Sequence, residues 1–428
     1  MFRKITSTIF ARTLLAGLNF FLVIITTRYL GPAGKGDVSL FMLNLTIVQL
    51  VNNFVGGPYL VYLVPRKNMM HLLLPSYAWA LISSVTIPVI LLLLNLQNIT
   101  FLIPLIIISF LYSVISINTM IMMGKEEVGK YNITSLLQVF VLMICFMVFL
   151  VVFKMRDLSS YVNALSIASA IAFGMSFIFI IKYFEKISFR NISGTFYETI
   201  KKGFVVQAGN ISQMFNYRLS FYILDKFHTG GRQEVGIYSV AVSVAEALWL
   251  ISQSVSLVLY SKISNTNDIV YSRKLTIALI KIVFVITILC AGILLCFPAS
   301  IFVFVFGEGF GEVRTILFPL SIGIIIFSAG IILSSYFVGI GKPQVSVIGS
   351  VIGLAVTIIL GFVLIPRYGM TGAAVTASIS YTAGVIYQFL KFVREAVELN
   401  FSDFLFSKND VHLIVCEMKN IFVTKKIV

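Results

Sequence analysis

The chain has 428 residues, of which 59% are hydrophobic and only 11% charged. Soluble domains carry roughly 25% charged residues, so an ordinary soluble fold is excluded, and repeated apolar runs of about 20 residues mean transmembrane helices. The net charge of +15 gathers in no basic cluster of a soluble domain, so nucleic acid is not the partner it indicates; loop Lys and Arg that orient membrane spans account for it.

In chain order, the opening stretch MFRKITSTIFARTLLAGLNFFLVIITTRYLG begins like a signal sequence. Its apolar part is too long, and no small-x-small cleavage site follows, so it reads as a retained first span at 9–30. Spans are then predicted at 38–63, 72–94, 101–122, 131–153 and 161–183. A polar segment, 185–202, reads as a cytoplasmic connector. The second half predicts spans at 204–225, 235–259, 275–306, 312–338, 344–365 and 371–392. Gly56, Gly57 and Pro58 in the second span and Pro298 in the ninth mark breaks or kinks. The expected fold is all-α and polytopic. Twelve transmembrane helices form an N-terminal six-helix bundle (1–184), the connector (185–202), a C-terminal six-helix bundle (203–393) and a cytoplasmic tail (394–428). A membrane barrel would show alternating segments of about 10 residues, which the sequence lacks.

With the N-terminus inside, the inside loops hold fifteen Lys and Arg and the outside loops eight, before the tail adds six more. This bias places both termini in the cytoplasm. The two halves also look related. GPAGKGDVSLF (31–41) joins the first two spans and TGGRQEVGIYSV (229–240) joins the seventh and eighth. MMGKEEVGKYNITS (122–135) follows the fourth span and GIGKPQVSVIGS (339–350) the tenth, with a Gly-Lys pair aligned between them. Six spans per half is an even number, so the halves are parallel repeats about an axis along the membrane normal.

Three spans carry polar stripes. At 100° per residue, Gln207, Asn210, Met214, Arg218, Phe221 and Asp225 of the seventh lie near one line, while Gln213 and Asn216 point elsewhere. Thr8, Arg12, Asn19 and Thr26 share a face of the first span, and Ser239, Ser243, Glu246 and Gln253 one of the eighth. An ionisable residue in lipid costs at least roughly 2.5–3.5 kcal/mol, so these faces are expected to look at an interior cavity. Bland readings stand beside this one. Arg12, one turn inside its span, either snorkels to the cytoplasmic surface or faces the cavity. Lys281, shallow beside Arg273 and Lys274, is expected to snorkel. Glu246 is either a structural partner of Arg218 or a protonation site for coupling, and Asp225 marks the outer end of its helix. Gly349 and Gly353 form a GxxxG that permits close helix packing. Trp79 and Trp249 are read as packing residues.

Cys145, Cys290 and Cys296 lie in apolar runs, and with Cys416 they form no CxxC pair, so neither a metal site nor a disulfide framework is expected. Walker A, HExxH and GxSxG motifs are missing, and His71, His228 and His412 do not cluster, so neither an ATP-driven pump nor a soluble-type enzyme is indicated. No cofactor is expected.

RYLGPAGKGDVSLF, EVGIYSVAVSVAEAL, YFVGIGKPQ and LIPRYGMTGAAVTASISY, in this order and spacing, resemble the polysaccharide-exporter branch of the multidrug/oligosaccharidyl-lipid/polysaccharide (MOP) flippase superfamily, in particular Wzx-type O-antigen flippases. The resemblance covers most of residues 1–395. In NYRLSFYILDKF, Ser220 stands where the family commonly has an acid. The resemblance implies two six-helix bundles around a central cationic cavity. It implies alternating access and a non-enzymatic role in a bacterial plasma (inner) membrane. The cargo would be an undecaprenyl-diphosphate-linked oligosaccharide, an O-antigen or related repeat unit, turned to the outer leaflet for a polysaccharide polymerase. A proton or sodium gradient is the candidate driving force. Arg suits a diphosphate because its planar fork binds bidentately. The expected site is Arg12 and Arg218 for the diphosphate, Asn19, Gln207, Asn210 and Gln253 lining the cavity, and Glu246 for coupling. The rivals are a drug/cation antiporter of the same superfamily, a membrane glycosyltransferase or polymerase, and a membrane partner with no transport. Three basic span residues against one acidic favour an anionic cargo over cationic drugs. The short outside loops disfavour the polymerase.

Overall fold

A computed structural model describes residues 2–184, 192–266 and 268–395. The tail beyond 395 and residues 185–191 of the predicted connector lie outside the described residues. Thirteen α-helices and one 3-10 turn form, and no strand occurs among the described residues. They are α1 (Phe2–Gly56), α2 (Tyr59–Leu63), α3 (Met69–Leu93), the 3-10 turn (Ile99–Phe101), α4 (Leu102–Gly124), α5 (Val128–Val151), α6 (Leu158–Ile181) and α7 (Ile192–Phe227). There follow α8 (Gly231–Glu246), α9 (Trp249–Ser264), α10 (Ile269–Cys296), α11 (Ala299–Phe306), α12 (Val313–Gly339) and α13 (Gln344–Glu395).

Eight helices are long and apolar enough to cross a membrane, or nine when α8 and α9, bent by 41°, are taken as one span. Two of these are double. In α1, Gly31 at φ 67° turns the chain and Pro32 restarts the helix at once, a position where its missing N–H costs nothing. In α13, Gly369 at φ 54° does the same after Pro366. With the more polar α7, twelve crossings result, and the chain is a multi-pass membrane protein. Large apolar side chains such as Ile103, Phe304, Phe318 and Ile359 stand exposed around the helices, as lipid-facing residues do. The expected breaks occur: α1 ends before Gly57–Pro58, and Phe297–Pro298 separates α10 from α11. Side-chain caps start several helices. Asn68 accepts from Met70 N–H at 2.9 Å, Asp157 from Ser160 N–H at 3.2 Å and Asp268 from Tyr271 N–H at 2.9 Å, as N-cap residues do.

The chain divides into two compact units, Met1–Ile211 with Val305–Gly309, and Ser212–Phe304 with Phe310–Val428. In the first, α1 packs on α3, α4, α5 and α6. One part of its core joins Leu22, Phe41, Phe146, Tyr161 and Leu165, and another Leu60, Leu72, Ala80, Ile117 and Ile180. In the second, α12 is central, packing on α8, α9, α10 and α13, with Leu259, Leu275, Tyr336, Phe337 and Phe392 in the core.

The two units repeat one device in detail. At the end of α4, Glu126 N–H bonds Met123 C=O at 3.0 Å and Glu127 N–H bonds Met122 C=O at 2.8 Å. At the end of α12, Gly341 N–H bonds Val338 C=O at 3.1 Å and Lys342 N–H bonds Phe337 C=O at 2.7 Å. Both are Schellman caps, and the left-handed residue is Glu126 (φ 59°) in one and Gly341 (φ 76°) in the other. Two residues earlier, a Cβ on Gly124 would stand 2.7 Å from Val64 Cβ, and one on Gly339 2.8 Å from Ile263 Cγ2. Gly124 therefore matches Gly339. The Gly-Lys alignment expected from the sequence, Gly124-Lys125 on Gly341-Lys342, is off by two residues, because cap geometry and close helix approach set the register rather than the dipeptide.

Outside the spans, Glu127 accepts from Lys182 at 2.6 Å and from Lys130 at 2.9 Å. Burial pushes its carboxyl up, but the bonds from Lys182, Tyr183 and Lys130 outweigh this and hold it at about 2.

Candidate functional site

The second unit assembles a charged site from α7, α8, α9, α12 and α13. Arg218 Nη2 donates to Glu246 Oε2 at 2.8 Å, and the side chains are 30% and 20% exposed. The guanidinium also lies 5.4 Å over the Phe221 ring, one turn along α7. Glu246 is not in the middle of a helix, as a continuous 235–259 span predicts. It is the last residue of α8, at the joint where the chain bends into α9. Its other oxygen, Oε1, is buried without a hydrogen-bond partner. An acceptor left open beside a formed ion pair marks a group with unused binding capacity.

Beside this pair stand four aromatic rings, Tyr217 of α7, Trp249 of α9, Phe327 of α12 and Tyr381 of α13. All six pairings have centroids between 4.8 and 5.8 Å. Their rims are polar. Tyr217 OH accepts from Gln213 Nε2, and Trp249 Nε1 is buried without a partner. The sequence reading of Trp249 as an isolated packing residue missed this cluster, whose members come from four separate helices.

Of the other predicted residues, Gln207 is buried and accepts from Asn210, which is exposed. Arg12 is exposed on α1. Asn19 is also exposed and gives its amide to Leu15 C=O of its own helix at 2.9 Å. Gln253 is exposed on α9, past the bend from Glu246. Ser239 and Ser243 are satisfied within α8, on Gly236 and Ser239 carbonyls. Asp225 sits two residues from the end of α7, with Arg232 at 3.5 Å. Thr8 has no described side chain. Arg12, Asn19, Gln207 and Asn210 belong to the first unit, and Arg218, Glu246 and Gln253 to the second.

Two expectations change. Lys281 does not snorkel: it is only 7% exposed, covered by the helices around α10. Asn216, set aside because it points away from the stripe, is a packing hub. Its Oδ1 accepts from Thr357 Oγ1 at 2.6 Å and Ser380 Oγ at 2.8 Å, tying α7 to both halves of α13. Gly353 makes room for it, since a Cβ there would stand 2.4 Å from Asn216 Nδ2; Gly349 lies against Gly384 and Gln388. The GxxxG thus joins the halves of α13 and seats α7.

The first unit also hides polar side chains that sequence reasoning passed over. Gln49 donates to Ser113 Oγ at 3.1 Å, and Asn118 accepts from Tyr77 OH at 2.5 Å and donates to Ser176 Oγ at 2.9 Å. Asn52 is fully buried with both amide atoms unpartnered. Trp79 Nε1 donates to Val51 C=O at 2.9 Å. In the second unit, the Ser378 hydroxyl of α13 accepts from Gly323 N–H of α12 at 3.2 Å and donates to Pro319 C=O of the same helix. These are two groups that bond each other in a regular helix.

No family model matches the sequence. Residues of the chain are 32% identical over 167 positions to the capsular polysaccharide biosynthesis protein CapF of Staphylococcus aureus, a match spanning 38% of this chain and 42% of that protein. The fold is similar to the lipid II flippase MurJ in an inward closed conformation, with TM-score 0.74 and 16% identity over 98% of this chain and 97% of the other. It is also similar to the inward-facing conformation of a multidrug resistance MATE family transporter of the MOP superfamily, with TM-score 0.69 and 15% identity over 90% and 94%. At these identities the likeness speaks to fold, while function is argued from the site. The chain has the fold that the solved MurJ and MATE structures share.

Proposed function

We propose that this protein is a flippase that moves an undecaprenyl-diphosphate-linked oligosaccharide, a capsular or O-antigen type repeat unit, from the cytoplasmic to the outer leaflet of a bacterial plasma membrane by alternating access. The observation that carries the reading is the Arg218–Glu246 pair. A guanidinium fork held inside the membrane by one carboxylate oxygen can exchange that oxygen for a diphosphate. Glu246 then acts as the internal stand-in for cargo, released when cargo or a proton arrives. The MurJ fold, whose namesake acts on lipid II, and the partial match to a capsular polysaccharide protein support this cargo class. Arg12, Gln207, Asn210, Asn19 and Gln253 remain the proposed further contacts, the first for phosphate and the others for sugar hydroxyls. No bond is made or broken, so the protein is not an enzyme, and a proton or sodium gradient is the proposed drive.

The decisive experiment is deletion of the protein. Lipid-linked single repeat units should accumulate on the cytoplasmic side, and Arg218→Ala should reproduce this at normal membrane abundance while Arg218→Lys retains part of the function. Unchanged glycan display in the deletion strain would refute the reading. Both termini are proposed to be cytoplasmic, so reporters fused at Asn98 and Lys130 should report outside and inside; the same side for both would break the topology. The likeness to a multidrug transporter favours a second reading, export of cationic drugs on Glu246. That reading requires drug sensitivity in the deletion strain with glycan display intact.

A further inference from the structure

A cluster of Tyr, Lys and Arg side chains gathers in the first unit, where the second span ends. After α1 closes at Gly56, the single turn of α2 carries Tyr59 and Tyr62 three residues apart, on one face. Their rings stack, 5.7 Å between centroids and 19° between planes. Arg66 Cζ lies 3.8 Å over the Tyr62 ring, and Lys202 Nζ lies 5.6 Å from the Tyr59 ring. Cations thus close both ends of a two-ring column. Lys202 comes from the start of α7, which is pressed onto the end of α1 through Gly203: a Cβ there would stand 2.0 Å from Phe54 C=O. The Phe54 and Phe204 rings, 5.3 Å apart, meet beside it.

The donors of this cluster already hold an anion. Glu198 accepts from Tyr59 OH at 3.1 Å and pairs with Lys67 at 3.2 Å and Lys202 at 3.5 Å. The bond from Lys67, then that from Tyr59, hold its carboxyl below its ordinary range. Arg66 gives Nη1 to Tyr62 C=O at 2.6 Å and has no carboxylate partner among the described residues. An open cavity of about 330 Å³ lies between Pro58, Tyr59, Tyr62 and Lys202. Against three cations, Arg66, Lys67 and Lys202, the cluster sets one carboxylate.

We infer that the cluster around Glu198 is a docking site for the diphosphate of a polyprenyl-linked head group, bound at the membrane surface by Lys67, Lys202 and Tyr59 OH with Glu198 displaced. The inference rests on the function proposed above. The excess of two positive charges, three once Glu198 is displaced, matches a diphosphate better than the single charge of a common phospholipid. Both tyrosine faces point to cations, so the rings hold the cations in place and leave the sugar to other contacts. Tyrosines with Lys and Arg at the end of a span belong at the depth of head-group phosphates.

The test uses the full chain in nanodiscs of zwitterionic phosphatidylcholine, with undecaprenyl diphosphate as the probe. The Lys67→Gln/Lys202→Gln double variant should bind it about ten-fold or more weakly, as expected when two charge-assisted contacts go. Glu198→Gln removes the internal competitor, and binding should tighten several-fold, a gain that a misfolded protein cannot produce. Unchanged affinity in both variants overturns the docking site and leaves the proposed function standing. Equal competition by phosphatidylglycerol overturns it in favour of a phospholipid site, and equal competition by inorganic pyrophosphate overturns the membrane source. A wild-type protein that binds no undecaprenyl diphosphate, in a strain whose deletion leaves glycan display intact, removes the function and the site together.

Discussion

Removing the Arg218 side chain leaves Glu246 with neither oxygen paired, because Oε1 has no partner to begin with. Unit charges about 4 Å apart attract by about 4 kcal/mol at an effective dielectric constant near 20. Breaking a fully buried pair costs about 3–5 kcal/mol. These side chains are 30% and 20% exposed, so screening reduces the figure, and we expect Arg218→Ala to cost about 2 kcal/mol. For a unit of this size that lowers the thermal midpoint in detergent by about 4–8 °C. Glu246→Gln keeps an amide carbonyl for the guanidinium and costs about 1 kcal/mol or less. The double variant removes both charges and returns to within about 1 kcal/mol of wild type, a coupling of about 1–3 kcal/mol in the cycle. Transport should not follow stability: glycan display, normalised to membrane abundance, stays absent in the double variant. Restored display alongside restored stability would reduce the pair to a packing element and refute its role as a cargo surrogate. A wild-type midpoint for Arg218→Ala would refute the energetic argument itself.

Other substitutions have defined outcomes. Gly353→Ala should abolish folded protein, whereas Gly349→Ala should be milder, because its tightest contact, at 2.9 Å, is the end of the flexible Gln388 side chain; yield of monodisperse protein after detergent extraction checks the order. Glu126→Gly should stabilise by about 0.5–1 kcal/mol, since the left-handed cap position penalises a Cβ, with a higher thermal midpoint as the readout. Glu127 is held from 4.5 down to about 2. A lowered carboxylate pKa stabilises above the free value and loses that contribution as pH falls through the folded one. Glu127→Gln should therefore melt below wild type at pH 7, with the gap closing between pH 4.5 and about 2.

Much of this architecture is legible in the sequence, because apolar length and Gly-Pro punctuation are local signals. Spans and the breaks at Gly57–Pro58 and Pro298 follow from them, as does the polar face of α7 that carries Arg218. What stays illegible has non-local causes. The segment Glu246-Ala247-Leu248-Trp249 contains no Gly or Pro, yet α8 ends there. The aromatic cluster draws one residue from each of four helices, and in a chain with 38 Phe and 18 Tyr no single ring stands out. Gln49, Asn52 and Asn53 do stand one turn apart on α1, but the patch holds no ionisable residue, so weighing charged stripes passes over it. Lys281 looks shallow by position along its helix, but burial depends on the neighbours around the helix, which position along the chain does not reveal.

The hydroxyl of Ser378, lodged between Gly323 N–H and Pro319 C=O, makes the backbone of α12 beside its proline a concern of α13 as well. A proline removes one rung of a helix ladder by its own chemistry, and here a neighbour's side chain occupies the next. Withdrawal of that hydroxyl would free a donor and an acceptor that are natural partners in a helix, so they can bond each other instead. The backbone of α12 at this point and the position of the second half of α13 are then linked through one side chain, which exchanges one hydrogen bond for another. A serine-to-alanine change at 378 would leave the helices packed yet uncouple them, turning a shared movement into two independent ones.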